Sequence, residues 1–565
     1  MARRSILLIA GLALVGSCGN EAAKVKRLVQ SHRRHPANVW KPAALAQVRG
    51  IPIAAITAAI TQRLAGKAPA NVRDDAWVHT RALYASLGKT PLWLTAEGAP
   101  TDRARALTDA LFQVSDDALR TDSYPIAALT NSLTELKNTK APTAAQLADA
   151  DILLSAVYAS LGKDLLVGQI SPKTVGQSWH INVSQDDLDS ALVTSLKDTL
   201  QRGIEEMRPA DEDYPLLQKQ LARYRTIADS GGWRPIPAGK TLHRGQTDSP
   251  ERIAALRARL AAEGIATGES TRPVYDSTLA NAVGEFQSHH AITVDKTLSP
   301  ETVAALNVPA NYRLGQIAAN LERLRWMPRT LGTRYIYVNV PAFHLTAYDS
   351  GDKSLDMKVI VGQDYADKAT PVFSDSMEEV VFRPYWLITP EIQASEIGPK
   401  VAADPGYLDR NDMEYYTDGG KQRIRQRPGP KNSLGFVKFL FPNDYNVYLH
   451  DTPNHELFKQ DVRAFSHGCI RLEKPAELAQ WVLGWDPDRV QDAMMNGKDN
   501  NAVRLPKKLP VYITYGTAYV HDGELYFGND LYHRDEQLVR ASAAAAIPNA
   551  GTRAELEALR KVTSS

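Results

Sequence analysis

Cys469 lies in the run Ser466-His467-Gly468-Cys469-Ile470-Arg471, nineteen residues after His450 in Val447-Tyr448-Leu449-His450-Asp451. A free thiol titrates at roughly 8.5, so a useful thiolate near neutral pH needs a base or cation beside it. Two histidines and an arginine crowd this one. The pattern reads as an activated cysteine nucleophile, which takes an acyl group from an amide or ester and passes it on. The duller reading is a buried structural cysteine beside a satisfied histidine. A zinc site built from His450, His467 and Cys469 is not expected, because no Cys-x-x-Cys or His-Glu-x-x-His run supplies closely spaced ligands. No cofactor is called for.

The elements that must position these residues are strands. From Tyr335 the hydrophobic period is two, through Tyr335–Val340, Leu345–Tyr348 and Met357–Gly362, with further strands expected at Glu379–Phe382, Gly435–Phe441, Asn446–His450 and Val511–Val520. In a strand, Tyr448 and His450 are two apart and share one face. A β-rich catalytic domain over 309–535 follows. Between Pro384-Tyr385-Trp386 and the strand leading to His450, residues of about 387–434 break the pattern. That is far longer than a sheet connection needs. Pro390 to Lys400 reads as a short helix, and Lys421, Arg423, Arg425, Arg427 and Lys431 form a basic run. A capping insertion that closes over the cleft is expected, against the alternative of a solvated surface excursion.

The remaining chain divides by pattern. Met1-Ala2-Arg3-Arg4 and the apolar run to Val15 read as an export signal over 1–17, ending in Val15-Gly16-Ser17-Cys18. That ending resembles a bacterial lipobox, which makes Cys18 the expected lipidation site of an outer-membrane lipoprotein facing the periplasm; ordinary signal cleavage without lipid is the alternative. With Cys18 lipidated, Cys469 has no disulfide partner. Residues 18–43 read as a tether, 44–243 as an α-rich scaffold, 244–308 as a compact module of three short helices, and 536–565 as a C-terminal tail. After residue 18 no stretch approaches eighteen consecutive apolar residues, so attachment is by anchor and not by a spanning helix. Sixty-six basic and 64 acidic residues leave a formal net charge of +2, which gives no field suited to nucleic acid.

The small module resembles the helical peptidoglycan-binding domains found beside cell-wall enzymes, at Phe286-Gln287 and Ser299-Pro300-Glu301-Thr302. It departs from their glycine-bearing turn, carrying Asp295-Lys296-Thr297-Leu298 instead. His450 with Ser466-His467-Gly468-Cys469-Ile470-Arg471 resembles the signature of the L,D-transpeptidase catalytic domain. Pro384-Tyr385-Trp386, Pro428-Gly429-Pro430-Lys431-Asn432-Ser433-Leu434-Gly435 and Phe441-Pro442-Asn443 look like the long multidomain members of Gram-negative bacteria. Asp451 stands where many members have glycine. The expected fold is therefore multidomain α+β, with a β-rich L,D-transpeptidase domain, an inserted cap, a peptidoglycan-binding-like domain and a helical scaffold.

That resemblance implies a 3-3 peptidoglycan cross-linking reaction on stem peptides. Cys469 attacks the carbonyl between the third residue of a tetrapeptide donor and its terminal D-alanine, D-alanine leaves, and an acceptor amine resolves the thioester. Carbapenem-type β-lactams are implied inhibitors. His450 is the proton donor and acceptor, and His467 and Arg471 make the loop electropositive. Backbone N–H groups at Gly468 and Cys469, with the Tyr448 hydroxyl, are candidates to receive the oxyanion. Ser466, Arg471, Tyr385 and Trp386 are candidate substrate contacts. His467 reads equally as a loop brace, Arg471 as an anchor for an acidic side chain, and Trp386 as core or cleft wall. A cysteine peptidase or amidase, exchange of D-amino acids, and attachment of a protein to peptidoglycan would use the same thioester. A noncatalytic wall-binding protein would not need the reactive loop.

Overall fold

The computed structural model describes residues 40–175, 179–181, 188–365, 368–544 and 553–564; the signal, Cys18 and the tether up to residue 39 lie outside them. The helical spacing of the scaffold produces α1 (Asp74–Leu87), α2 (Asp102–Gln113) and the long α3 (Ala144–Val167). Thr143 and Gln146 close a capping box at the start of α3, satisfying two otherwise orphaned N–H groups. This helix is buried on nearly every side and forms the axis of the scaffold. The helical spacing over 191–204 is divided between two helices, α4 (Leu188–Ser195) and α5 (Leu200–Met207), where Thr199 caps the second by accepting the Arg202 N–H. They cross closely at Gly203, where a Cβ would lie 2.0 Å from the Ser195 carbonyl oxygen.

The aromatic-flanked turn from Tyr84 to Trp93 is a core patch, with Gly88 in the left-handed region and Tyr84 and Trp93 buried. Buried Asp151 of α3 holds it. Its carboxylate accepts the Leu92 N–H at 2.7–2.8 Å and the Trp93 N–H at 3.3 Å. Asp151→Ala strands both donors in a dry core, so we expect a loss of about 2–4 kcal/mol in the urea unfolding of the scaffold. A loss below about 0.5 kcal/mol would reject this bracing role.

Helix α6 (Asp213–Asp229) leads to the small module, α7 (Pro250–Ala262), α8 (Ser277–His289) and α9 (Pro300–Leu306). Ser249, Asp276 and Ser299 each cap a helix through the side chain, and Pro250 and Pro300 occupy first-turn positions that need no donor. The turn that lacks glycine adopts the left-handed conformation at Lys296 all the same, with φ +59°. Gln287 stabilises it: its amide accepts the Lys296 N–H at 2.9 Å and donates to Asp295, Thr297 and Thr302.

Helix α10 (Ala310–Arg325) joins the parts. Along it, Arg325 donates to the Asp117 carbonyl at 2.8 Å and to Tyr214 at 2.7 Å, Glu322 accepts the Ile170 N–H at 2.6 Å, and Arg323 pairs with Asp535 at 2.5 Å.

The β-rich part contains β1 (Arg334–Asn339), β2 (His344–Asp349), β3 (Asp352–Gly362), β4 (Val372–Phe382), β5 (Trp386–Leu387), β6 (Met413–Asp418), β7 (Lys421–Gln426), β8 (Val437–Leu440), β9 (Leu449–His450), β10 (Ala464–Ser466), β11 (Ile470–Leu472) and β12 (Asn501–Thr514). The main sheet runs β8-β9-β11-β3-β2-β1-β12-β4, and β4 pairs back onto β8, so the sheet closes on itself. Strand β10 pairs with β3 and the pair Trp179–His180 adds to β4. Period-two alternation fills the interior with Ile336, Val338, Val359, Val380, Val437, Phe439, Leu449 and Ile470.

Beyond residue 535 the chain is not a loose tail. Helix α11 (Arg534–Ala544) packs on α10, and α12 (Arg553–Thr563) returns to the scaffold, burying Leu556 and Leu559 in its core and pairing Arg560 with Asp109 at 2.7 Å.

Candidate active site

Three adjacent strands carry the site. Lys438 of β8 is the cross-strand partner of His450 in β9, and His450 is the partner of Arg471 in β11. Partners across a sheet project from the same face, and so do residues two apart on one strand. Lys438, Tyr448, His450, Cys469 and Arg471 therefore share one side of the sheet, while Val437, Phe439, Leu449, Ile470 and Leu472 fill the core on the other. The sequence alternation dictates this division.

His450 is buried and its Nδ1–H donates to the Asp451 carbonyl at 2.5 Å. That bond fixes the tautomer and leaves Nε2 with a lone pair. Burial, then the charges of Arg471 and Lys438, drive the imidazole down to about 3, so it is neutral at any physiological pH. Asp451 braces the turn beside it. Its carboxylate accepts the Phe436 N–H at 2.8 Å and the Thr452 N–H at 2.7 Å. It fits because Gly435, at φ +61°, has no Cβ; one there would lie 2.2 Å from the Asp451 carboxylate.

Cys469 is half-buried, and its Sγ contacts the Asn446 carbonyl at 3.5 Å. The Tyr448 backbone N–H and hydroxyl also face the sulfur. Burial pushes the thiol above its ordinary value, and the Tyr448 contacts and the charges of Arg471 and Lys438 only partly offset this. No hydrogen bond joins Sγ to His450 among the described residues. The resting pair is thus a neutral thiol and a neutral imidazole, both on the same face. The Tyr448 and His450 rings lie 5.7 Å apart.

The loop around Cys469 is braced from within. The Ser466 hydroxyl donates to the Cys469 carbonyl at 2.5 Å and accepts the Gly468 N–H at 3.1 Å. Ser466 is buried and spends its hydrogen bonds on the loop, so the structure turns it inward instead of toward a substrate. The Gly468 N–H is likewise engaged, whereas the Cys469 N–H makes no hydrogen bond among the described residues. Gly468 sits at φ +110°, and its carbonyl accepts from Thr370 at 2.9 Å. Thr370 and Tyr532 tie the loop to Gly362 through bonds of 2.9 and 2.7 Å.

His467 points to the insertion. Its Nε2 meets Glu396 at 2.5 Å, and Glu396 also pairs with Lys368 at 3.3 Å. Burial alone would raise the Glu396 carboxyl, but the hydrogen bond and charge of His467, then Lys368, hold it below the ordinary range. Glu396 belongs to a helix spanning 390–403 whose middle, Gln393–Ile397, is a π turn. Pro399 has no N–H to give to residue 395, and the Gly398 N–H reaches back to Gln393 instead.

The insertion is a folded unit with a sheet and core of its own. Strands β5, β7 and β6 form its own sheet, and Ile388, Ile397, Met413 and Ile424 form its core. Three of the five cations in its basic run are paired within the insertion. Arg425 and Arg427 pair with Glu414 at 2.6 and 3.8 Å, and Lys431 with Asp412 at 3.7 Å. Trp386 packs on the insertion's core, and Tyr385 lies under the Arg425 guanidinium at 4.2 Å. Both sit at the root of the insertion, and among the described residues no hydrogen bond or ring contact joins either to Cys469 or His450.

Lys438, Glu396 and Lys368 carry no motif and were not singled out from sequence. The one local signal was a lysine alternating with Val437 and Phe439 opposite a strand ending in histidine. Among the described residues no group of His, Cys, Asp and Glu side chains could hold a metal ion.

Residues 333–513, which hold this sheet and site, match the family model for the L,D-transpeptidase catalytic domain. Residues 79–221 match a scaffold domain and residues 249–306 the "Putative peptidoglycan binding domain" model. The chain thus carries, in order, regions matching a scaffold domain, a peptidoglycan-binding domain and an L,D-transpeptidase catalytic domain. A Haemophilus influenzae protein described as a "Putative L,D-transpeptidase" is 31% identical over 243 residues, 40% of this chain and 48% of that protein; the chain thus spans about half the length of this relative. Among solved structures, an L,D-transpeptidase from Xylanimonas cellulosilytica aligns at 16% identity with a TM-score of 0.16, covering 49% of this chain and 99% of that one. A structure described as the Ldtfm-avibactam carbamoyl enzyme aligns at 14% identity and a TM-score of 0.16, covering 34% of this chain and 51% of that one.

Proposed function

We propose that this protein forms 3-3 cross-links in peptidoglycan, with Cys469 as nucleophile and His450 as the proton carrier. The observation that carries the reading is the shared sheet face of Tyr448, His450, Cys469 and Arg471. The thiol proton passes to Nε2 of His450 as sulfur bonds to the donor carbonyl. Starting from two neutral groups, this transfer accompanies attack instead of preceding it. The Cys469 N–H and Tyr448 hydroxyl stabilise the oxyanion, each such donor being worth about 3 kcal/mol. His450 then protonates the departing amine, the C–N bond breaks and D-alanine leaves. An acceptor amine attacks the thioester, gives its proton to His450, and the thiol re-forms. Arg471 holds a donor carboxylate. Incubation with tetrapeptide-stem muropeptides should yield D-alanine and a 3-3 dimer by mass; D-alanine with tripeptide alone would mark a hydrolase.

The insertion acts as a lid that keeps water from the thioester, latched by Glu396 to His467 and Lys368. Half-exposed ion pairs contribute up to about 1 kcal/mol, so Glu396→Gln should lower the ratio of transfer to hydrolysis by about two- to fivefold, with β-lactam acylation within about twofold of wild type. An unchanged ratio would remove Glu396 from the latch.

The site of action lies outside the cytoplasmic membrane, where peptidoglycan is, and no helix among the described residues is long and apolar enough to cross a membrane. A lipid on Cys18 would tether the enzyme to the outer membrane. Cys18→Ser should move the protein from the membrane to the soluble periplasmic fraction, and a wild type already soluble there would refute the anchor.

A further inference from the structure

Lys438 and Arg471 flank His450 from the two neighbouring strands, and among the described residues neither forms an ion pair. By contrast, Lys368 is matched by Glu396, Arg425 by Glu414 and Arg383 by Asp499. Burial draws both Lys438 and Arg471 below their ordinary values, and the only opposing influence on either is Cys469. Two half-buried cations without a counter-charge cost free energy that nothing in the resting fold returns. The Lys438 ammonium lies 5.8 Å from the centre of the Tyr448 ring, whose hydroxyl faces the nucleophile.

We infer that Lys438 joins Arg471 to form a carboxylate subsite beside Cys469, which selects acyl donors whose scissile amide is followed by one residue with a free α-carboxylate. This rests on the acyl-transfer reading above and adds to it a reason why the cleft cuts at a chain end. In such a donor the carboxylate carbon is three bonds from the carbonyl carbon under attack, so the two are held a few ångströms apart. A cation on each side of His450 can receive that charge while the imidazole reaches the departing nitrogen between them. An internal peptide bond brings no charge to this place and leaves both cations unmatched. Lys438 contacts the substrate in this scheme and takes no proton.

Two measurements on the full-length protein test this. In the first, Cys469 is alkylated with iodoacetate or with neutral iodoacetamide, and adducts are read by peptide mass so that Cys18 does not interfere. Both reagents need the same thiolate, so their rate ratio cancels any effect of Lys438 on thiol acidity. Lys438→Met should lower the iodoacetate-to-iodoacetamide ratio by about fivefold or more, and Lys438→Arg should keep it near wild type. An unchanged ratio in Lys438→Met overturns the subsite. In the second, a tetrapeptide donor is compared with its C-terminal carboxamide. The wild type should favour the acid by at least about tenfold in kcat/KM, Lys438→Met should erase that preference, and Lys438→Arg should retain it. Equal slowing of acid and amide would assign Lys438 to the thiol or imidazole and refute the subsite. Lys438→Gln serves if the methionine variant fails to fold. A wild type that turns over no stem peptide defeats the proposed function, while the alkylation ratio still decides whether the anion subsite exists.

Discussion

Cys469→Ala will abolish acyl transfer, lowering turnover of a tetrapeptide donor by about 10⁵-fold or more, because losing a covalent nucleophile leaves only binding and oxyanion stabilisation. The fold should survive. The thiol is half-buried, its contact to the Asn446 carbonyl is a weak 3.5 Å interaction, and the loop is held by Ser466, Thr370 and Tyr532 instead. A thermal midpoint within about 3 °C of wild type is expected. The same variant should show no mass increase with a carbapenem, where the wild type gains one adduct. Cross-linking above background by the alanine variant, or wild-type protein that takes no adduct, would sink the nucleophile assignment.

His450→Gln should slow donor turnover by about 10³-fold, within the range general-base catalysis supplies. The pH dependence carries more information. An imidazole at its usual value near 6.5 would lose base character as pH falls from 7 to 5. Burial and the cations Arg471 and Lys438 hold His450 at about 3, so it remains a base throughout that interval and kcat/KM should stay flat from pH 8 to about 5. An acidic limb with a midpoint near 6.5 would contradict this geometry. Stability follows with a definite sign. The folded state resists protonation of His450 until about pH 3, whereas the unfolded chain takes the proton at about 6.5, so the unfolded state binds more protons between these values and stability falls as pH drops through them. Removing the histidine removes that loss. From pH 7 to pH 4 the melting temperature of His450→Gln should fall less than that of the wild type.

Much of this protein was legible locally. The Ser466–Arg471 run pointed to the proposed nucleophile, and alternation over Val447–His450 placed Tyr448 and His450 on one face. The three short helices read over 244–308 are observed, two of them opened by the side-chain caps Asp276 and Ser299. These features depend on a residue and its neighbours within a turn or a strand, where caps and periodicity act. The helix break near Lys197 was not legible, because the tight crossing of Gly203 against Ser195 is a tertiary contact. Residues beyond 535 read as a tail because α12 has its apolar partners more than four hundred residues away, as in Arg560 with Asp109. The insertion's basic run looked available because its counter-charges, Glu414 and Asp412, face it only once β6 and β7 pair. Sequence alone singled out the residue proposed to carry the chemistry. Tertiary structure decided its surroundings: strand register set Lys438 and Arg471 on either side of His450, and the π turn ahead of Pro399 brought Glu396 to His467. Register and domain docking are settled by the total burial they allow, and no window of sequence contains that sum.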